Sequence, residues 1–241
     1  KKHVLCEKPM AITPNECITL IELAKKNKCI FHVGHVLRFS NAIEKVKKMI
    51  EQGMIGSPRY AHSYFSYIAD PQIRSWIYNP QLSGGGPLLD AGIHCLDTIR
   101  FVLNSEVSSG KIEKIQNSIS PSLEKTATCI LSFKNDCIAS IITSHSAAYG
   151  HGLEITGTQG KISVCEFAKC KGSVTIKFES HQEHDIKVVS EEYSIDDTHP
   201  KQITSFCNAI LSENTLNESA INGLRNVEII HQLYHHGFYK N

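Results

Sequence analysis

The sequence predicts a two-part chain: a short α/β unit at residues 1–36, then an α+β domain at 37–241 built on a large, mostly antiparallel open sheet. Two observations lead to this reading. Near the start, strand-like Val4–Cys6, helix-like Pro14–Lys28 and strand-like Cys29–Val33 follow one another, an order that suits a right-handed crossover between parallel strands. Further on, a succession of short alternating apolar runs is separated by turn residues, the pattern of a meandering sheet.

Taken in order, Thr13 is placed to cap the first helix, with Pro14 at its first helical position, where a missing N–H costs nothing. Isolated, this opening unit would leave much apolar surface uncovered. Asn41–Gln52 reads as a helix stopped by Gly53, and Arg59–Tyr67 alternates as a strand. A loop rich in Pro, Asn and Gly carries Trp76, the only tryptophan, into Ser83-Gly84-Gly85-Gly86-Pro87. One helix is then expected over Leu89–Leu103. Strands follow at Lys114–Ser118, Ala127–Phe133, Cys137–Ser144, Gly152–Thr156, Lys161–Val164, Ser173–Phe178 and Ile186–Ser190, and helices near Pro200–Ser212 and Ser219–His236 close the chain.

Composition narrows the function. The 241 residues carry a formal charge of +1 with 20% charged side chains, which gives no basic footprint for nucleic acid. The longest apolar runs fall far short of a membrane span, and no signal-peptide pattern opens the chain. Nine cysteines, an odd number without a Cys-x-x-Cys pair, read as reduced thiols of a cytoplasmic protein rather than a disulfide framework. Cys165 and Cys170 have no second pair to complete a zinc site. The sequon Asn217-Glu218-Ser219 has no role in that compartment. His231 and His235 stand four apart, yet lack the glutamate of a zinc-hydrolase motif, so no metal is expected.

The chemistry concentrates in two places. Asp90, His94 and Asp97 are spaced three and four apart, so on one helix they share a face. A carboxylate one turn from an imidazole can orient the ring and favour its charged form, which suits proton transfer. The alternative is a capping Asp90 and a core His94. Asp97 supports the site or merely stabilises its helix. The second place is Glu7-Lys8-Pro9 at the end of the first strand. Pro9 biases Lys8 toward extended backbone, so its ammonium leaves the strand's carboxyl end, where open α/β sheets bind ligands.

Together, Glu7-Lys8-Pro9 and Asp90-x-Gly92-x-His94 resemble the Gfo/Idh/MocA family, the glucose-fructose oxidoreductase and inositol dehydrogenase group. Val33–Phe39, Lys47–Gly56 and Glu154–Ile162 resemble later segments of that family in the same order. The resemblance implies that residues 1–36 are the C-terminal remnant of a Rossmann nucleotide-binding domain. It implies hydride transfer between NAD or NADP and a sugar, cyclitol or related polyol, with Lys8, Asp90 and His94 catalytic. Either His94 or Lys8 accepts the hydroxyl proton, and the sequence does not separate the two. Glu7, Lys8, Pro9 and Arg38 are candidates for the cofactor, and Lys8, Trp76, Asp90 and His94 for the substrate. Arg38 could equally serve as a domain-interface ion pair, and Trp76 as packing. Substrate is expected to be read by the loops 64–76 and 147–153. The resemblance also implies a homo-oligomer through the large sheet.

No Gly-x-Gly-x-x-Gly phosphate loop occurs in the chain. The expectation is therefore a fragment of a longer oxidoreductase. The rival is a non-catalytic carbohydrate-binding or assembly homologue without the cofactor site.

Overall fold

Thr13 and Glu16 begin the first helix reciprocally. Thr13 Oγ1 accepts from the Glu16 N–H at 3.3 Å, and Glu16 Oε2 accepts from the Thr13 N–H at 2.9 Å, a capping box that satisfies otherwise orphaned donors. That helix, α1 (Pro14–Asn27), connects β1 (Val4–Glu7) to β2 (Phe31–Gly34), and the two strands pair in parallel. The computed structural model describes residues 2–169, 171–182, 185–212 and 218–240. Cys170 and Asn217, named above, lie outside the described residues.

The remaining elements are α2 (Asn41–Glu51), β3 (Pro58–Ser66), the single turn α3 (Pro80–Ser83), α4 (Ile93–Leu103), then β4 (Val107–Gln116), β5 (Glu124–Phe133), β6 (Ile138–Ser144), β7 (Gly150–Gly157), β8 (Gly160–Cys165), β9 (Ser173–Gln182) and β10 (Asp185–Ser194). Helices α5 (Thr198–Leu211) and α6 (Glu218–His236) precede the last strand, β11 (Phe238–Lys240). Nine strands form one sheet in the order β10-β9-β8-β7-β3-β6-β5-β4-β11. Every pairing is antiparallel except β3 with β6. The open, mostly antiparallel sheet is as the sequence predicts, and strand β11 is an addition to it.

Alternation decides which face is covered. On the inner face Ala61, Cys129, Leu131, Ala139, Ile141, Leu153 and Ile155 are buried in one core with residues of α2 and α4, and Ser63 is buried on the same face. Helix α4 lies between the sheet and α6, and its buried positions run nearly all the way round. The opening unit is not left bare on the side of α1. Ala220 and Val227 of α6 join Met10, Cys17, Ala24, Phe31 and Val33 in a second core, so the last long helix binds the first 36 residues to the rest.

The expected helix over Leu89–Leu103 is a composite. Residues Leu88–Gly92 form a wide π-helical turn before the regular α4 begins at Ile93. This turn rotates Asp90 relative to Asp97, so the two carboxylates serve different places instead of sharing one face.

Candidate active site

The glycine turn is locked before the site begins. Gly84 adopts φ +68°, and a Cβ there would sit 2.3 Å from Ile12 Cγ2. A Cβ on Gly86 would meet the Glu124 carbonyl oxygen at 2.3 Å. The buried Glu124 carboxylate accepts from the Gly86 and Leu88 N–H groups, each at 3.1 Å, and from Tyr234 Oη at 2.6 Å. Tyr234 Oη also accepts from the Leu89 N–H at 3.2 Å. These bonds satisfy the N–H groups at the entrance of the π-helical turn, a class of irregularity frequent at functional sites. The three glycines thus allow close approach of backbone and side chains, and Glu124 is a partner that spacing could not reveal.

Beyond β1, Lys8 turns its ammonium onto this π-helical turn. Nζ donates to the Asp90 carbonyl oxygen at 2.7 Å and to Asp90 Oδ1 at 3.2 Å. Asp90 Oδ2 accepts from the Tyr67 hydroxyl and from His145 Nε2, the latter at 3.2 Å. A carboxylate only accepts, so His145 Nε2 carries the hydrogen. Burial opposes the charge of Asp90, but the His145 hydrogen bond, the Lys8 ammonium and the Tyr67 hydroxyl hold its carboxyl well below the usual range. Burial and the adjacent Asp90 charge push the Tyr67 phenol up.

His94 lies one helical turn on, but Asp90 does not orient it. The Asp90 oxygens are taken by Lys8, Tyr67 and His145, and His94 makes no hydrogen bond among the described residues. Its ring lies 6.1 Å from that of Phe65. Burial, then the Lys8 charge, push the imidazole down to about 3, so His94 is neutral near pH 7. The expectation that Asp90 favours its charged form is corrected accordingly: desolvation outweighs the carboxylate.

Lys8, Asp90 and His94 line one cavity of about 280 Å³ with Phe65, Tyr67, Arg74, Ala91 and Tyr149. Arg74 Nη1 donates to Tyr67 Oη at 3.2 Å, and its guanidinium lies 5.4 Å from the Tyr67 ring centre. Tyr67, Arg74 and Tyr149 fall within the two loops expected to read substrate. His145 was not legible in the sequence. The parallel pairing of β3 with β6 brings it beside Tyr67, at the carboxyl ends of both strands.

Other candidates go elsewhere. Arg38 grips Asp97 with two bonds, Nε to Oδ2 at 2.9 Å and Nη2 to Oδ1 at 2.8 Å. Asn226 Nδ2 adds a third to Asp97 Oδ1 at 2.8 Å. Burial opposes the Asp97 charge, yet His35 and Arg38 hold its carboxyl well below the usual range. Asp97 therefore ties α4 to the segment after β2 and to α6, away from Asp90. Arg38 lines a different cavity of about 390 Å³, with His32, Glu44 and Asn222 among its walls. Trp76 is 46% exposed and is not among the residues around Lys8. Glu7 is exposed and accepts from the Lys8 N–H at 3.3 Å. Pro9 follows Lys8 through a cis peptide bond.

Comparison with known proteins agrees with this architecture. Residues 43–163 match the GFO/IDH/MocA C-terminal domain, and residues 1–35 match the oxidoreductase family with an NAD-binding Rossmann fold. A 1,5-anhydro-D-fructose reductase of Ensifer adhaerens is 28% identical over 165 residues, which cover 67% of this chain and 49% of that protein. A myo-inositol 2-dehydrogenase of Thermotoga maritima is 30% identical over 168 residues, covering 67% and 49%. The chain thus spans about half the length of these curated relatives. In three dimensions, an aldose-aldose oxidoreductase of Caulobacter crescentus, solved with glycerol, superimposes with a TM-score of 0.89 at 22% identity, covering 99% of this chain and 72% of that one.

Proposed function

The chain belongs to the Gfo/Idh/MocA oxidoreductase family, and on that premise we propose that it carries the catalytic groups for hydride transfer between NAD or NADP and a sugar, cyclitol or related polyol. The observation that supports this best is the convergence of Lys8, Asp90 and His94 on one cavity. The polar groups there fit an alcohol. An ammonium has three N–H donors, and Lys8 directs hydrogen bonds to two Asp90 oxygens, which leaves one for a substrate hydroxyl. The His94 nitrogens make no hydrogen bond among the described residues. A bound nicotinamide supplies the hydride acceptor or donor.

In the oxidation direction, neutral His94 takes the hydroxyl proton as hydride leaves the carbinol carbon. Lys8 donates to the same oxygen and stabilises its developing negative charge, an electrostatic contribution that is large in a water-poor site. Asp90 holds Lys8 in place, and Tyr67 and His145 fix Asp90. In the reduction direction the proton and hydride return along the same path.

The outward face of the sheet supports a second element of the proposal, a homo-oligomer. Tyr60, Tyr64, Ile130, Ile138 and Ile142 occupy outward positions on β3, β5 and β6, each 41% exposed or more. A contiguous apolar patch of this kind marks an interface, and a second copy of the same face is its proposed cover. The described cysteines are all free, four of them buried, which supports a reducing, cytoplasmic location.

The test is nicotinamide binding by calorimetry and polyol-dependent cofactor reduction. Both are measured on this chain and on a longer one that includes a glycine-rich phosphate loop. Turnover that requires the longer chain and collapses in Lys8→Met and His94→Asn supports the proposal. Cofactor binding by neither chain would replace it with a non-catalytic carbohydrate-binding role.

A further inference from the structure

We infer that the substrate carries an anionic oxygen group, as a sugar acid does, and that Arg74 selects it. This rests on the reading of the cavity as the substrate site. Charge balance motivates it. Within the cavity, Lys8 is paired with Asp90 at 3.2 Å. His94 is neutral, and the raised Tyr67 phenol stays protonated. Arg74 makes no ion pair with a carboxylate among the described residues. Asp70, four residues before it, directs its side chain to the Gln72 N–H instead. The cavity therefore has one cation more than it has anions.

A surface arginine is ordinarily a solvated charge, and two contacts set this one apart. Its Nη1 bonds Tyr67 Oη at 3.2 Å, and its Cζ lies 5.4 Å from the centre of the Tyr67 ring. Tyr67 is itself fixed by Asp90 and packs on His145, ring centres 4.9 Å apart. The guanidinium is thus anchored through a residue that also touches the catalytic carboxylate. A guanidinium has five N–H donors in a planar fork matched to carboxylate and phosphate, and one is used on Tyr67. Bidentate pairing with Arg74 would hold the anion of a substrate whose reacting hydroxyl meets Lys8. A volume of about 280 Å³ is just under the range of drug-sized ligand sites, ~300–1,000 Å³. That size suits a monosaccharide.

The test uses hexoses matched with their C6 acids and C6 phosphates, titrated by calorimetry into the wild-type chain, Arg74→Gln and Arg74→Lys. Melting curves confirm that each variant is folded. Expected is binding of an acid or phosphate roughly tenfold or more above its neutral partner, as for hydrogen bonds to a charged group. The preference should shrink with added salt, vanish in Arg74→Gln and be partly kept in Arg74→Lys. The two anionic arms distinguish carboxylate from phosphate. No preference, a preference for the neutral sugar, a preference that survives Arg74→Gln, or no binding by the folded chain would each overturn the inference. Hydride transfer to the same panel by the longer chain separates the two readings. Turnover without acid preference removes the role of Arg74 and keeps the oxidoreductase, whereas acid binding without turnover does the reverse.

Discussion

The Lys8 ammonium reaches across 82 positions of sequence to the Asp90 backbone carbonyl at 2.7 Å and to the Asp90 carboxylate at 3.2 Å. One cation thereby joins the end of β1 to the π-helical turn before α4. The carbonyl bond fixes where the ammonium sits, and the carboxylate bond sets an opposite charge beside it. That division of labour makes the pair separable by substitution.

Lys8→Met should fold, because Asp90 keeps Tyr67 and His145 as partners. Its hydride-transfer kcat should fall ~10²–10³-fold, the usual loss for a donor aimed at developing charge. Steady-state kinetics on the longer chain measure this. A fall of less than about tenfold, on the energetic scale of an ordinary hydrogen bond, would make the contact structural.

Acid sensitivity has a defined window. His94 and His35 are depressed by burial to about 3 and about 4 from 6.5. Between those values the unfolded chain binds protons that the native chain does not, so stability rises with pH there. It should be level above about pH 6.5 and fall as pH drops toward 4, by ~1.4 kcal/mol per pH unit for each histidine. Asp90 and Asp97 add to the loss only below the ordinary carboxylate range. Urea unfolding across this pH series should show a shallower slope in His94→Gln. An unchanged slope would mean that His94 binds its proton as readily in the folded chain as in the unfolded one.

Arg38→Met should destabilise the fold by ~3–5 kcal/mol, because it leaves a buried carboxylate uncompensated. Asp97 is 2% exposed. Asp97→Asn, which removes the charge that needs compensation, should cost less. Equal losses in denaturant titration would show that the network acts through packing rather than charge.

Tyr64→Lys and Ile142→Lys should dissociate the proposed homo-oligomer without changing circular dichroism. Tyr64 and Ile142 are register partners on adjacent strands of the exposed face. Sedimentation equilibrium decides the matter, and a wild-type protein that is monomeric at high concentration would exclude this interface.

Much of this was readable in the chain itself. Thr13-Pro14 marked the first helix, because capping is local chemistry. Alternation placed the strands β5 to β10 within a few residues, since one buried face imposes a period of two. The pairing of Glu7-Lys8-Pro9 with Asp90 and His94 named the elements that meet. Long-range placement was not readable. The π-helical turn arises because Glu124 and Tyr234, from β5 and α6, clamp the N–H groups around Gly86. His145 joins Asp90 only because β6 lies parallel to β3. The neutrality of His94 is set by burial that no spacing encodes, and Arg38 turned to Asp97 because that carboxylate was buried beside it. Local backbone preference and periodicity reside in neighbouring residues. Desolvation and charge pairing depend on what the fold brings close, and these decided the site.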